Sequence, residues 1–300
     1  MTKVDLITGF LGAGKTTFLL RYADWLMRRG LRIAILVYDH GSVNVDMPLL
    51  RSLQGEQCEL EMLAGACDPD CHKRRFRTKL ISMGMRGFDR VLIEPSGVFD
   101  MDEYFDTLQE SPLDRWFEPG SVIAVVDGKL EEQMSPEEDY FLASQAADSG
   151  CILLSRVQMA SEEEVERTVS HLERAMKAIS AHSPIRSRLL IKDWAALTEE
   201  DYRFLENCGY TPDDYTKVIA GTRVAFQSLS FLSLLLNRKE LEEKTEQLFH
   251  DGSFGEILRV KGFFTENGCW YQINATKSEL HIEPVPENRS AVIVIGCSLN

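Results

Sequence analysis

The sequence predicts an α/β protein with a doubly wound, mostly parallel sheet, followed by a smaller α+β domain. Apolar strands and amphipathic helices alternate from the N-terminus to about residue 191, a pattern typical of a parallel sheet covered by helices. Near residue 215 the pattern changes, and short strands are grouped with a single helix. We therefore expect two domains, at residues 1–214 and 215–300, which suits a chain of 300 residues because single cores rarely exceed about 250 residues.

Composition narrows the class of protein. The apolar and charged fractions are 44% and 27%, which are typical of globular proteins. The net charge of −14 argues against a nucleic-acid partner, since such surfaces carry clustered Lys and Arg. The sequence has no apolar run of the roughly 20 residues that span a bilayer. Seven irregularly spaced cysteines without a signal peptide indicate reduced thiols, so we expect a cytoplasmic protein without a membrane partner.

The first strand and helix flank a glycine-rich loop. The segment from Gly9 to Thr17 matches the phosphate-loop pattern G-x-x-x-x-G-K-S/T between a strand at Val4–Ile7 and a helix at Thr17–Arg29. Backbone N–H groups and the positive end of the helix dipole favour an anion there. Lys15 is expected to reach the β- and γ-phosphates, and the Thr16 hydroxyl to ligate Mg²⁺. The predicted nucleotide-binding residues of the loop are Gly9, Gly12, Ala13, Gly14, Lys15, Thr16 and Thr17.

Acidic residues follow the next two strands. Asp39 comes after an apolar strand at Leu31–Val37, and Glu94 ends the strand Phe88–Glu94. The carboxyl ends of parallel strands face the ligand crevice in such folds. Glu94 is therefore expected to be the catalytic and Mg²⁺-holding acid, with Asp39 and Lys15 as further catalytic candidates. Gly97 is expected to offer its N–H to the γ-phosphate.

The remaining elements complete the two predicted domains. The first continues with a strand at Ser121–Val126, a helix from the capping box at Ser135 to Asp148, a strand at Cys151–Leu154, a helix at Ser161–Ile179, a strand at Arg188–Ile191 and a short helix at Thr198–Cys208. The second contains a strand at Arg223–Phe231, a helix at Asn237–Phe249 and strands at Glu256–Thr265, Trp270–Ala275, Leu280–Val285 and Ala291–Ile295.

A second cluster of candidate ligands precedes the Arg-rich stretch at residues 72–79. Cys67 and Cys71 are separated by three residues, within the spacing of metal sites, and His72 follows directly. Two thiolates and an imidazole, with a nearby carboxylate, would suit a tetrahedral Zn²⁺-type site in a loop beside the nucleotide crevice. The alternative is a turn kinked by Pro69 with two small buried thiols.

The motifs together resemble a known family. Gly9–Thr17, Glu94-Pro95-Ser96-Gly97 and the Arg259–Gly262 strand are similar to the CobW-like GTPases, relatives of the GTPases that assist nickel insertion into urease and hydrogenase. The resemblance covers both predicted domains. It implies GTP binding with Mg²⁺, slow hydrolysis and a role as a metallochaperone for a client metalloprotein or a cofactor-assembly protein.

Three segments depart from the family pattern. The C-x-C-C metal motif is replaced by the segment Ala66–His72, and the Asn-Glu-x-Gly-Glu segment by Tyr38–Ser42. The guanine-reading Asn-Lys-x-Asp is replaced by Ser155-Arg156-Val157-Gln158, which makes Ser155 and Arg156 the nucleotide-binding candidates there. Because the aspartate that would accept from guanine is absent, we expect weaker selection of guanine over adenine.

The sequence leaves three functional classes open. The leading hypothesis is a GTP-hydrolysing switch coupled to metal or metallocofactor handling. The alternative is a nucleotide-sensing binding protein with little turnover and no metal delivery. A small-molecule kinase or ATPase is the third class, for which the sequence offers no acceptor signature.

Overall fold

The computed structural model describes residues 1–39, 47–64, 69–99, 101–131, 134–216, 226–232, 234, 236–277, 279–286, 290–297 and 299. These residues form two compact units, one within Met1–Tyr38 and Leu49–Lys217 and the other mainly within Val218–Asn300. The predicted domain boundary between residues 214 and 215 stays a prediction. Among the described residues, no helix is both long and apolar enough to cross a membrane.

The first unit is built on a seven-stranded sheet in the order β3-β2-β4-β1-β5-β6-β7. Its strands are β1 Thr2–Thr8, β2 Ile33–Asp39, β3 Cys58–Ala64, β4 Arg90–Glu94, β5 Phe117–Asp127, β6 Cys151–Ser155 and β7 Leu189–Leu190. Every strand pair from β2 to β7 is parallel. The chain runs from β1 outward to β2 and β3, returns to β4 and then crosses to β5 on the other side of β1, so the loop after β1 lies at the switch point where ligands bind in such sheets.

Within the described residues, seven α-helices flank the strands of this sheet along the chain. They are α1 Lys15–Arg28, α2 Met47–Leu50, α3 Pro69–Gly84, α4 Met101–Gln109, α5 Pro136–Ala147, α6 Glu162–Ala178 and α7 Glu199–Asn207. On one face, Phe76 of α3 and Tyr104 of α4 pack in one apolar cluster, and Leu142 of α5 and Leu172 of α6 in the next. On the opposite face, the Tyr22 hydroxyl of α1 donates to Asp5 of β1. The predicted doubly wound parallel sheet is thus confirmed.

Local signals explain where several helices begin. Ser135 and Ser161 each accept a hydrogen bond from the N–H three residues later, and the glutamates there bond back, which forms the two predicted capping boxes. The first helix begins at Lys15, two residues before its predicted start, because Gly14 supplies the left-handed residue that precedes it. Helices α2, α3 and α4 have no counterpart among the predicted elements.

The second unit contains a five-stranded sheet in the order β11-β10-β9-β12-β8, with antiparallel neighbours throughout. Its elements are β8 Phe226–Leu232, α8 Arg238–His250, β9 Glu256–Glu266, β10 Cys269–Ala275, β11 Leu280–Val285 and β12 Ala291–Cys297. Leu241 of α8 packs on Val260 and Val292. The hairpin β9–β10 turns at Asn267-Gly268, both with positive φ, as a tight two-residue hairpin turn requires. The predicted smaller α+β arrangement is confirmed.

Candidate nucleotide-binding site

The loop between β1 and α1 has a backbone that only glycine tolerates at key positions. Gly9, Gly12 and Gly14 have φ of 145°, 81° and 100°. A Cβ on Gly9 would lie 2.2 Å from the Val125 carbonyl oxygen in β5. Gly14 precedes α1 in the left-handed conformation, and no described side chain caps the helix. The first turn of α1 also contains no acid, so its N–H groups and dipole favour an anion at the loop.

Lys15 lies across this loop rather than pointing into solvent. Its side chain is buried, and its ammonium donates to the carbonyl of Gly9 at 2.9 Å and to that of Phe10 at 3.4 Å. These contacts hold a positive charge at the concave side of the glycine-rich backbone. The loop therefore combines a fixed cation with backbone donors, which is the chemistry that a polyphosphate needs.

Thr16 and Glu94 form the acidic side of the site. The Thr16 hydroxyl donates to Oε1 of Glu94 at 2.5 Å, which joins the start of α1 to the carboxyl end of β4. Glu94 is 4% exposed. A hydroxyl and a carboxylate in contact beside a phosphate loop are the oxygen donors that Mg²⁺ prefers, and the ion commonly keeps several waters. The pair therefore fits a Mg²⁺ site.

Gly97 follows Glu94 by three residues and packs directly against the phosphate loop. A Cβ on Gly97 would lie 2.6 Å from the backbone N and 2.9 Å from Cα of Leu11. Only glycine therefore allows this approach of two backbones. On its other side, the Gly97 carbonyl accepts a hydrogen bond from Nε2 of Gln145 at 2.9 Å. Sequence reasoning missed Gln145, although a long polar side chain among apolar neighbours in α5 was a usable signal.

The segment after β6 also reaches the phosphate loop. Arg156 adopts a left-handed backbone with φ of 54°, and its guanidinium donates to the carboxylate of Asp127 and, at 3.3 Å, to the Gly12 carbonyl. Ser155 is buried, and its Cβ lies 3.8 Å from the position of a Cβ on Gly14. Arg156 thus joins this segment to the phosphate loop through the Gly12 carbonyl and to the end of β5 through the ion pair with Asp127, a residue absent from the predicted site.

Trp194 is a further neighbour that sequence reasoning missed. It follows β7, and its indole N–H donates to the Leu154 carbonyl at 2.9 Å. The ring lies 3.2 Å from the position of a Cβ on Gly14 and packs edge-on against Phe18, with 5.6 Å between ring centroids. A large aromatic side chain therefore fills the space between the start of α1 and the end of β6.

The structure brings most of the predicted nucleotide residues together around one loop. Thr16 contacts Glu94, Leu11 contacts Gly97, and Gly12 contacts Arg156. The roles of these residues in binding stay predictions. Asp39 ends β2, but its side chain lies outside the described part of the structure.

The predicted cysteine cluster has a different local structure from the one expected. Cys71 and His72 lie in the first turn of α3, not in a loop, because Pro69 occupies the first helical position, where its missing N–H costs nothing. Cys67 and the His72 side chain lie outside the described residues. Within the described residues, no group of three His, Cys, Asp or Glu side chains could hold a metal ion.

Comparison with known proteins places this site in a family. Residues 3–186 match the family model CobW/HypB/UreG, nucleotide-binding domain. The chain is 30% identical over 192 residues to the zinc chaperone YjiA of Escherichia coli. The aligned region covers 61% of this chain and only 56% of YjiA. It is 26% identical over 342 positions to the zinc-regulated GTPase metalloprotein activator 1 of Schizosaccharomyces pombe, covering 99% of this chain and 82% of that protein.

A solved structure is also similar. The Zn(II)-bound YjiA GTPase from Escherichia coli aligns over 99% of this chain and 95% of its own, with 21% identity and a TM-score of 0.40. The family model spans more than half of this chain and includes the phosphate loop, Glu94, Gly97 and Arg156. The chain therefore belongs to the CobW/HypB/UreG family.

Proposed function

We propose that this protein binds GTP with Mg²⁺, hydrolyses it slowly and couples the nucleotide state to the handling of a transition-metal ion. The observation that carries the proposal is the contact of Thr16 with Glu94 at 2.5 Å beside a glycine-rich loop whose helix begins without an acid. That arrangement supplies an oxygen pair for a hard cation next to an anion site. Family membership supports the choice of GTP and of a metal-linked role.

Each residue has a distinct task in this proposal. Backbone N–H groups of Gly12 to Thr16 bind the phosphates, and Lys15 moves its ammonium from the loop carbonyls to the β- and γ-phosphate oxygens. Bound Mg²⁺ would neutralise charge on those oxygens. The Thr16 hydroxyl and Glu94 would hold that ion, and the Gly97 N–H would donate to the terminal phosphate. Asp39 is proposed to orient the attacking water.

The metal-handling part of the proposal rests on donor chemistry and on relatives. Two relatives are named as a zinc chaperone and a zinc-regulated GTPase metalloprotein activator. Cys67, Cys71 and His72 offer thiolate and imidazole donors, which suit Zn²⁺. We propose that Zn²⁺ is a cargo passed to a client metalloprotein in the cytoplasm, with no nucleic acid or membrane involved.

Nucleotide binding and turnover test the first part. A fluorescent GTP analogue should bind the wild-type protein, and phosphate release should require Mg²⁺. Lys15→Ala should abolish triphosphate binding without unfolding the protein, because Lys15 is the first residue of α1, where alanine is a favourable helical residue, and its ammonium donates to loop carbonyls. Lys177→Ala, at an exposed lysine of α6, is the matched control. Binding of wild-type strength in folded Lys15→Ala would remove the phosphate-loop assignment. Binding without turnover would favour the nucleotide-sensing alternative.

Competition with a chromogenic chelator tests the metal part. The wild-type protein should take up one Zn²⁺ per chain, and the double variant Cys67→Ser/Cys71→Ser should lose that uptake. Cys269→Ser is the control, because Cys269 is an exposed cysteine on β10 of the second unit. Stoichiometric Zn²⁺ uptake by the double variant would exclude this cysteine pair as the metal site.

A further inference from the structure

Gln145 is a polar side chain in an otherwise nonpolar environment. It belongs to a stretch of α5, residues 142–147, in which every residue is buried and the others are Leu, Ala or Ser. Gln145 itself is 1% exposed. A buried amide costs free energy unless its polar atoms are hydrogen-bonded. A glutamine at this place therefore requires an explanation in its contacts.

The contact that accounts for Gln145 lies in the candidate site. Nε2 donates to the Gly97 carbonyl at 2.9 Å, across 48 residues of sequence, and both groups are buried. The orientation of the amide follows from chemistry, since a carbonyl oxygen can only accept and so requires the NH₂ end. The other end, Oε1, is buried and accepts no hydrogen bond from any described residue. A side chain kept only for packing would not leave an acceptor unsatisfied at this cost.

Gly97 is consequently held from two sides. The backbone of Leu11 in the phosphate loop is close enough to exclude any Cβ on Gly97, and Gln145 fixes its carbonyl from α5. The residue has no side chain of its own to limit its backbone angles. Removing the Gln145 amide would remove the hydrogen bond that holds the Gly97 carbonyl.

We propose that Gln145 is a positioning residue that holds Gly97 ready for the terminal phosphate, and so sets the preference of the site for nucleoside triphosphate over diphosphate. The inference rests on the proposed function, in which the Gly97 N–H donates to the γ-phosphate. Gln145 touches neither nucleotide nor Mg²⁺ and acts through Gly97. A diphosphate does not reach Gly97, so its affinity is independent of Gln145.

Affinities for a non-hydrolysable GTP analogue and for GDP, measured with Mg²⁺ on the full chain, test this role. Gln145→Met keeps the length and removes the donor. It should weaken the triphosphate analogue about tenfold, as expected for loss of one buried hydrogen bond, and leave GDP within about twofold. Gln145→Glu, which puts a carboxylate against the Gly97 carbonyl, should weaken the analogue at least as much. In both variants the kcat of GTP hydrolysis should fall together with the affinity for the triphosphate analogue.

Ser144→Ala is the matched control. Ser144 is the buried neighbour of Gln145 in α5, and its hydroxyl donates to Phe141 within the same helix. The Ser144→Ala variant should bind both nucleotides with wild-type affinity. Equal loss for GDP and the analogue in Gln145→Met would show a merely structural role and overturn the proposal, as would no loss for either. If the wild-type protein binds neither nucleotide, the proposed function itself fails instead.

Hydrogen exchange of the wild-type protein decides the question even where the variants do not fold. The triphosphate analogue, compared with GDP, should slow amide exchange in residues 95–99 and also in residues 141–147. If the analogue slows amide exchange in the phosphate loop alone, the segment around Gln145 does not respond when the terminal phosphate binds near Gly97. That result would overturn the inference.

Discussion

The carboxylate of Asp5 and the guanidinium of Arg90 form an ion pair inside the first unit, with 2.7 Å between Oδ2 and Nη1. Both side chains are buried. The Tyr22 hydroxyl and the Ser121 N–H also donate to Asp5, and Arg90 donates to the Glu206 carbonyl at 3.0 Å. Burial raises the pKa of Asp5, and the Arg90 charge opposes this shift. The pair thus joins β1, β4 and β5 to α1 and α7.

Removing both partners of this pair should cost less stability than the sum of the two single losses. Arg90→Met leaves Asp5 buried without its counter-charge, and we expect a loss of about 3–5 kcal/mol in the free energy of unfolding. Asp5→Asn/Arg90→Met should lose less than the sum of the two single variants. Urea denaturation measures these values. Additive losses would show that the two side chains are energetically independent.

Glu94→Gln should separate nucleotide binding from turnover. The substitution keeps the shape beside Thr16 and removes the charge that would hold the hydrated ion. We expect Mg²⁺-dependent hydrolysis to fall about a hundredfold, equivalent to roughly 2.7 kcal/mol, while Mg²⁺-free nucleotide affinity changes less than about threefold. Phosphate release and fluorescent-nucleotide titration measure the two effects. Glu118→Gln, at an exposed glutamate of β5, is the control. Unchanged hydrolysis in Glu94→Gln would make Glu94 a structural strand-end residue.

Asp148 should make the stability of the first unit depend on pH. Burial raises the pKa of Asp148 from 3.8 to about 6, although the Asp213 N–H donates to this carboxyl. The native state therefore binds the proton more tightly than the unfolded chain, and its stability falls as pH rises from about 4 to about 6.

Asp148→Asn cannot ionise, so its stability relative to wild type should increase across this window. The increase should reach about 3 kcal/mol, since the pKa shift is about two units and each pKa unit corresponds to roughly 1.4 kcal/mol. Urea denaturation at pH 4, 5, 6 and 7 provides the comparison, with the exposed Asp106→Asn as the control. A constant difference between Asp148→Asn and wild type at all four pH values would contradict the assignment.

Base selection should be recoverable by one substitution. The family pattern predicts that Gln158 stands where a carboxylate would accept from the two guanine donors, and a glutamine offers a single acceptor atom. Gln158→Asp should raise the ratio of GTP to ATP affinity about thirtyfold, or roughly 2 kcal/mol, while the neutral Gln158→Asn should not. Competition binding under identical Mg²⁺ measures the ratio. A wild-type preference for GTP above about a thousandfold would mean that another segment reads the base.

The sequence predicted those elements whose structure is determined by residues close together in the chain. The phosphate loop, the capping boxes at Ser135 and Ser161 and the strands of the second unit follow from short-range sequence signals. Helix α3 escaped prediction because the charged residues at 73–79 obscure its apolar positions Phe76, Leu80 and Met83, which recur at helical spacing and are all buried.

Contacts between residues far apart in the chain could not be predicted from short-range sequence patterns. The bonds of Gln145 to Gly97 and of Arg156 to Gly12 join residues 48 and 144 positions apart. Neither periodicity nor spacing encodes which side chain will meet a given carbonyl after folding. Family resemblance pointed to Glu94 and Gly97 but not to Gln145, Asp127 or Trp194.

The central place of β1 in the first sheet has a consequence for biosynthesis. This strand leaves the ribosome before both of its neighbours, β4 at Arg90–Glu94 and β5 at Phe117–Asp127. Its buried residues Val4, Leu6 and Ile7 therefore stay without their native partners until most of the first unit has been translated. Non-local parallel pairing of this kind folds slowly and leaves apolar strands exposed to aggregation. A nascent chain that stops before β5 would present one bare edge of β1, which leaves that edge open to pairing with another chain.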